Sequence, residues 1–205
     1  RAWLIRKFAQ ATASVDLRRA KAFMEDARRR RLIPENPFAD LHCGPQTNEE
    51  RIAFIPRETI DRVIAACPDL EWELIFALAR YGGARVPSEI ARMRWADIDW
   101  ERHRFTIYSS KTEHHAGRRY RVVPIFPALR PYLDRAYRER DPGEEHVVPR
   151  AVGLPNLGTE ATRIIKEAGF EPWEKTFVNL RGSCSDELER EYPAHVVDAW
   201  MGNSA

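Results

Sequence analysis

The chain has 205 residues, of which 43% are hydrophobic and 31% charged, and its formal net charge is +2. This length suffices for one domain of ordinary size with part of a second, and the composition is typical of a soluble globular protein. No uncharged apolar run approaches the roughly 18 residues of a membrane-spanning helix, so the sequence predicts no membrane span.

The cysteines are three in number, widely spaced and without a C-x-x-C pair: Cys43, Cys67 and Cys184. Neither His42-Cys43 nor His114-His115 has the spacing that brings side chains together on one ion. The pattern therefore favours a reducing compartment, the cytoplasm, over a disulfide scaffold, and we expect no metal site.

The first predicted element is a helix from Ser14 to Leu32, with Ser14 or Thr12 as its N-cap. Its apolar residues recur at roughly helical spacing: Val15, Leu17, Ala20, Phe23, Met24 and Ala27. The prolines of "LIPENPFADL" should end this helix, because each disfavours helical geometry at the residue before it. The polar stretch "HCGPQTNEER" that follows predicts a linker, with a domain boundary near residues 42–50.

Positive charge is concentrated in two segments. Residues 1–34 contain ten Lys or Arg against three acids, so this segment carries +7 and the rest of the chain −5. Concentrated charge of this kind indicates a polyanionic partner, although Arg28 to Arg31 could equally be a solvated helix end. The candidate contacts are Arg18, Arg19, Lys21, Arg28 and Arg30 in the helix, and Arg118 and Arg119 in a second basic cluster.

Beyond the linker, the pattern predicts a mainly α fold with a small antiparallel β-sheet (α+β). Proline, aspartate and glycine signals bound the predicted helices, which span residues 56–66, 69–81, 87–93, 127–140, 156–168, 176–190 and 193–201. The segments "HRFTIYSS" and "RYRVVPI" are rich in β-branched and aromatic residues and predict a hairpin with a polar, basic loop between them.

Three cations stand at element boundaries. Arg85 follows the glycines that end a predicted helix, Lys111 lies at the edge of the hairpin loop, and Arg181 lies in "FVNLRGS" near the start of a late helix. Each has an ordinary alternative, since Arg85 could pair with Glu89, Lys111 could be a plain loop residue, and Arg181 could cap or pair within its helix.

Taken in order, these contexts resemble a known family. The run "GGARVPSEIARMRWADID", a hairpin with a lysine, "NLRGS" and "AWMGNS" together resemble the catalytic domain of the tyrosine recombinase (phage integrase) family. The preceding "RRAKAFMEDARRRRLIPENPFADL" resembles the last helix of that family's core DNA-binding domain. We therefore expect residues 1–42 to be the remnant of that helical domain, 43–50 a linker, and 51–205 the catalytic domain.

The resemblance implies site-specific strand exchange on double-stranded DNA through a 3′-phosphotyrosyl link. Arg85 and Arg181 would hold the scissile phosphate with their planar guanidinium groups, Lys111 would be the general acid, and Asn203 would donate a hydrogen bond. No cofactor is implied, because the arginines take the place of a metal. A homotetramer on DNA is implied for the full-length protein, and we expect a monomer for this chain.

The chain departs from the family pattern at several positions. One extra residue separates Arg85 from Glu89, Val178 stands where the family has a histidine, and Asn203 replaces a histidine or tryptophan. The nucleophilic tyrosine should follow that last position by about nine residues, beyond Ala205, so we expect a fragment that is truncated at both ends and binds DNA without cutting it.

Three other functions fit parts of the same pattern. A type IB topoisomerase would have a similar pocket and would relax DNA rather than exchange strands. A non-catalytic DNA-binding regulator is suggested by Val178 and Asn203. A helical domain whose basic clusters serve only for solvation would have no affinity for DNA.

Overall fold

The computed structural model describes residues 2–45, 51–108, 120–153 and 156–203. The chain divides into two compact units, Arg1–Ile52 and Ala53–Ala205. No helix in the described part of the chain is both long enough and apolar enough to cross a bilayer.

The first unit contains α1 (Ala2–Lys7) and α2 (Gln10–Arg29). The prediction of a helix starting at Ser14 was wrong, because the Ser14 hydroxyl donates back to the carbonyl of Gln10 at 2.8 Å and lies inside the helix. The Lys21 ammonium donates to the carbonyls of Ala39 and Leu41, which holds the segment after α2 against that helix.

The second unit is built around α4, whose side chains are almost all buried. Its helices are α3 (Arg57–Ala65), α4 (Leu70–Arg80), α5 (Arg130–Glu139), α6 (Pro149–Gly153), α7 (Gly158–Glu167), α8 (Thr176–Leu188) and α9 (Ala194–Met201). Asp69 caps α4 as predicted, since its carboxylate accepts from the Trp72 N–H at 3.0 Å. The apolar surface of α4 packs against α3, α5 and α8, so it forms the centre of the core.

The predicted hairpin is confirmed. Strands β1 (Ile98–Asp99), β2 (Arg104–Tyr108) and β3 (Tyr120–Pro124) form an antiparallel sheet in the order β1-β2-β3. The register pairs Phe105 with Val123 and Ile107 with Arg121, and all four of these side chains are buried. An arginine therefore lies on the inward face of β3, where the alternation of a half-buried strand places apolar residues.

The segment after Arg85 differs from the prediction. The sequence predicts a helix over residues 87–93, but only a single 3₁₀ turn forms, at Ile90–Arg92. The preceding residues instead form turns, in which the Glu89 carboxylate accepts the backbone N–H of Arg85. The short elements α1, α6 and β1 were not predicted, since none contains enough residues to show a period.

Candidate phosphate-binding site

Arg85 is positioned by the end of α4. Gly83 adopts a left-handed conformation with φ of 61°, and the Ala84 N–H donates to the carbonyl of Leu78, which turns the chain away from the helix. The Arg85 guanidinium donates to Glu89 Oε1 at 2.7 Å and to the carbonyl of Gly202 at 3.3 Å. The pairing with Glu89 considered from sequence is therefore present, and the Arg85 side chain is 28% exposed.

Glu89 is the buried anion of the site. Its side chain accepts four hydrogen bonds: two from Arg85, through the backbone N–H and the guanidinium, and two from the guanidinium of Arg121. Burial by itself would raise the pKa of Glu89. The hydrogen bonds and positive charge of Arg121 lower this pKa, as do the hydrogen bonds from Arg85. Together they outweigh burial, so the pKa lies below its ordinary value. Glu89 is therefore a carboxylate at neutral pH.

Arg181 reaches the same place from the middle of α8. Its guanidinium donates to the carbonyls of Gly83 and Met201 and, at 3.4 Å, to the side-chain oxygen of Asn203. Within the described residues its hydrogen-bond partners are thus neutral oxygens, in contrast to the two other arginines. Burial, together with the positive charges of Arg85 and Arg121, lowers the pKa of Arg181 to about 10.

The C-terminal end of α9 is where these arginines meet. The N–H groups of Gly202 and Asn203 donate back to Ala199 and Asp198, and Gly202 has a φ of 64°, so the helix ends in a Schellman motif. The next three carbonyls at this helix end are not acceptors in the Schellman motif. Each accepts from a different arginine: Trp200 from Arg121, Met201 from Arg181, and Gly202 from Arg85. The negative end of the helix dipole therefore faces three cations.

A cavity of about 510 Å³ opens beside this cluster. Its wall includes Arg85, Arg181 and Asn203, together with Ser88 and Val178. Val178 is 64% exposed and stands one helical turn before Arg181, so the position at which the family carries a histidine faces the same opening.

The structure thus brings together three of the four predicted catalytic residues. The fourth, Lys111, lies outside the described residues, and so do Arg118 and Arg119. The remaining candidate contacts to a polyanion belong to α2 in the first unit, where Arg18, Arg19, Arg28 and Arg30 are exposed. Several of these form ion pairs within the helix, such as Arg28 with Glu25 and Arg30 with Asp26.

The sequence interpretation missed the role of Arg121. It named Arg118 and Arg119 nearby and gave Arg121 no role, whereas the structure buries Arg121, with 8% exposure, in contact with Glu89 and the end of α9. A signal was present, because in "YRVVP" the alternation places Arg121 on the same face as Val123.

Because Gly83 lies close to Met201, adding a single methyl group at Gly83 should destabilise the fold. A Cβ at Gly83 would lie 2.6 Å from the methyl carbon of Met201, and the backbone there has φ of 61°. We expect Gly83→Ala to lower the free energy of unfolding by about 1–3 kcal/mol, measured by denaturant titration.

Gly182→Ala is the matched control for that measurement. A Cβ at Gly182, in the middle of α8, meets nothing within 4 Å. It should leave stability unchanged or raise it by about 0.5–1 kcal/mol. Equal stabilities of the Gly83→Ala chain and the unaltered chain would contradict the packing described for Met201.

Comparison with known proteins places the site in context. Residues 53–204 match the model of the Phage integrase family. No curated protein matches the chain.

Solved structures match it over its whole length. A lambda integrase dimer bound to a COC′ core site has a TM-score of 0.77 at 19% identity, with 100% of this chain and 76% of that chain covered. The integrase of transposon Tn1549, in complex with circular intermediate DNA, gives 0.75 at 17%, covering 100% and 75%. A lambda integrase tetramer bound to a Holliday junction gives 0.76 at 20%, covering 100% and 62%. At such identities the likeness establishes a shared fold.

Proposed function

Since this chain belongs to the phage integrase family, we propose that it binds double-stranded DNA and holds one phosphodiester between Arg85 and Arg181. In the full-length protein this site would serve site-specific recombination, in which a tyrosine cuts the strand and remains attached to its 3′ phosphate. The activity would be that of a tyrosine recombinase acting in the cytoplasm of a bacterium.

The observation that carries the proposal is the excess of positive charge at the cavity. Three guanidinium groups meet at the end of α9. Glu89 is the carboxylate among their hydrogen-bond partners in the described chain, and Asp186 adds a second carboxylate at the cavity wall, so the cations remain in excess. Buried charges are costly unless an opposite charge accompanies them. Burial and the neighbouring arginines lower the pKa of Arg181. Its side chain lines an opening large enough to admit a phosphodiester. The site therefore favours an anion.

The proposed chemistry follows from the placement of these groups. The tyrosine hydroxyl gives its proton to water as its oxygen attacks phosphorus. Negative charge then grows on the two non-bridging oxygens, and preorganised guanidinium groups of Arg85 and Arg181 stabilise it. The bond to the 5′ oxygen breaks, and that oxygen takes a proton from Lys111. Asn203 donates through its amide, which can form a hydrogen bond and cannot transfer a proton.

The assembly is proposed by analogy. The lambda integrase tetramer is bound to a Holliday junction, and we propose a homotetramer on DNA for the full-length protein and a monomer for this chain. We further propose that residues 1–42 are the end of a core DNA-binding domain, with Arg18, Arg19, Arg28 and Arg30 facing the DNA backbone. Lys21, expected from sequence to join them, is half-buried and donates to the carbonyls of Ala39 and Leu41 instead. Arg118 and Arg119 would contact the backbone near the hairpin loop.

A second function is favoured by one observation. Val178 and Asn203, both beside the cavity, lack the proton-transferring side chains of the family pattern, and a DNA-binding regulator that cuts no strand would need neither. Extending the chain past Ala205 and finding no tyrosine at the expected position would support the regulator. Relaxation of supercoiled DNA that lacks a cognate site would instead favour a type IB topoisomerase.

Salt-dependent binding to duplex DNA tests the proposal directly. Neutralised phosphates release counterions, so we expect the affinity to fall at least about a hundredfold between roughly 50 and 200 mM salt. Fluorescence anisotropy of a labelled duplex measures this. A chain that does not bind the duplex at the lower salt concentration would contradict the proposed function and support basic clusters that serve only for solvation.

A further inference from the structure

Arg121 contacts three segments that frame the phosphate site from a buried position. Its Nε donates to the carbonyl of Trp200 at 2.6 Å, and its two terminal nitrogens donate to the two oxygens of Glu89 at 2.6 and 2.7 Å. One of these nitrogens also lies 3.5 Å from the carbonyl of Gly83. A single planar group thus joins β3, the end of α4, the Glu89 turn and the end of α9.

This position separates Arg121 from the anion itself. The side chain is 6% exposed, and it does not belong to the described residues that line the cavity. Any influence on a bound phosphate must therefore pass through its neighbours. The neighbour that reaches the cavity wall is Arg85, which shares Glu89 with Arg121.

The shared carboxylate also determines the charge that Arg85 can offer. Oε1 of Glu89 accepts from both guanidinium groups, while Oε2 accepts from the Arg85 backbone and from Arg121. Arg85, Arg121 and Glu89 together therefore carry a net charge of +1. Without Arg121, Glu89 and Arg85 would form a neutral pair beside the cavity, and its attraction for an anion would be much weaker.

From this geometry, and resting on the proposed function, we propose that Arg121 is a positioning residue of the phosphate site. With Glu89 it holds the guanidinium of Arg85 in place and leaves it positively charged. Through the carbonyl of Trp200 it also holds the end of α9, next to Met201 and Gly202, whose carbonyls accept from the two arginines at the cavity. Lysine could not replace it, because three separate contacts require the planar fork of arginine.

Titration with sulfate tests this role in the chain as it stands. Sulfate resembles a phosphodiester in size and remains charged across neutral pH, and the side-chain Nε–H resonances of Arg85 and Arg181 report its binding. We expect Arg121→Gln to weaken sulfate binding about tenfold or more, because the buried pair with Glu89 loses its partner. Arg121→Lys keeps the charge and should recover part of that loss.

Arg80 offers a matched control for general destabilisation. It too is buried, its Nε donates to the carbonyl of Ile55 at 3.1 Å, and its terminal nitrogens donate to the two oxygens of Glu187. Arg80→Gln should therefore lower the melting temperature much as Arg121→Gln does, while sulfate affinity stays as in the unaltered chain.

The outcomes separate the two proposals. Equal sulfate affinities of Arg121→Gln and Arg80→Gln would overturn the role of Arg121. If Arg121→Gln does not fold, Arg121→Lys decides: a loss of affinity supports the role and an unchanged affinity removes it. If sulfate does not shift the Nε–H resonances of Arg85 and Arg181 in the unaltered chain, the phosphate site itself is contradicted. The proposed role of Arg121 then fails with it.

Discussion

Replacing Arg181 with alanine should abolish covalent attachment to DNA in a chain that carries the proposed tyrosine. Its guanidinium lies at the cavity wall, fixed by the carbonyls of Gly83 and Met201, so it is preorganised for the charge that grows on the phosphate. We expect the rate of adduct formation to fall about a thousandfold or more, as for other arginines that stabilise phosphoryl transfer. Denaturing gel electrophoresis of a labelled duplex after incubation measures the adduct.

Two variants make this result specific. Arg181→Lys keeps the charge and loses the planar fork, so adduct formation should remain strongly reduced. Arg163→Ala removes an exposed arginine of α7 that pairs with Glu160 and Glu167, and it should leave the rate unchanged. Thermal unfolding would show whether each chain still folds. Adduct levels near those of the unaltered protein for Arg181→Ala would remove this residue from the catalytic group.

Of the substitutions considered for their effect on stability, Glu89→Ala should lower the free energy of unfolding most. Its side chain is 2% exposed and its two oxygens accept four hydrogen bonds, so the variant leaves the buried guanidinium of Arg121 without an anion. Removing one partner of a buried pair costs about 3–5 kcal/mol. We expect a decrease of that size in the free energy of unfolding at pH 7, measured by denaturant titration.

The pH dependence of this effect has a definite sign. The folded-state pKa of Glu89 lies below the ordinary value of 4.5, so the folded chain binds this proton less readily than the unfolded chain. The contribution of its charge to stability is therefore present above pH 4.5 and is lost as the pH falls through the folded pKa. The stability difference between the unaltered chain and Glu89→Gln should accordingly shrink in acid. A difference that is constant from neutral pH into acid would contradict the ionised pair.

Several features of the fold follow from short stretches of sequence. Asp69 caps α4 and Gly83 ends its final turn because capping and left-handed geometry depend on the residue type at one position. The hairpin of β2 and β3 follows from β-branched and aromatic residues in two nearby segments. The predicted helix after Pro87 did not form: residues 86–89 form turns, and the helical part is the 3₁₀ turn Ile90–Arg92.

The presence or absence of such local signals also explains which site residues the sequence predicted and which it did not. Arg85 and Arg181 stood out because each lies beside a recognisable break or helix start, and their order along the chain resembled a family. The two interpretations of Arg85, as a partner of Glu89 and as a ligand for phosphate, are compatible, since its guanidinium pairs with Glu89 and also lines the cavity. Arg121 had no such neighbour in sequence, and its partner Glu89 lies 32 positions away.

The sequence by itself determined most of the longer helices and the hairpin, the family, and the residue types available to hold a phosphate, because each of these depends on local spacing and local backbone preference. The tertiary structure decided which charges meet. Packing of α8 against α4 places Arg181 on the carbonyl of Gly83, 98 positions earlier, and packing of α9 against β3 brings Arg121 to Trp200. Contacts of that kind depend on how helices and strands bury their apolar faces together, so the charge balance of the site exists only in the folded chain.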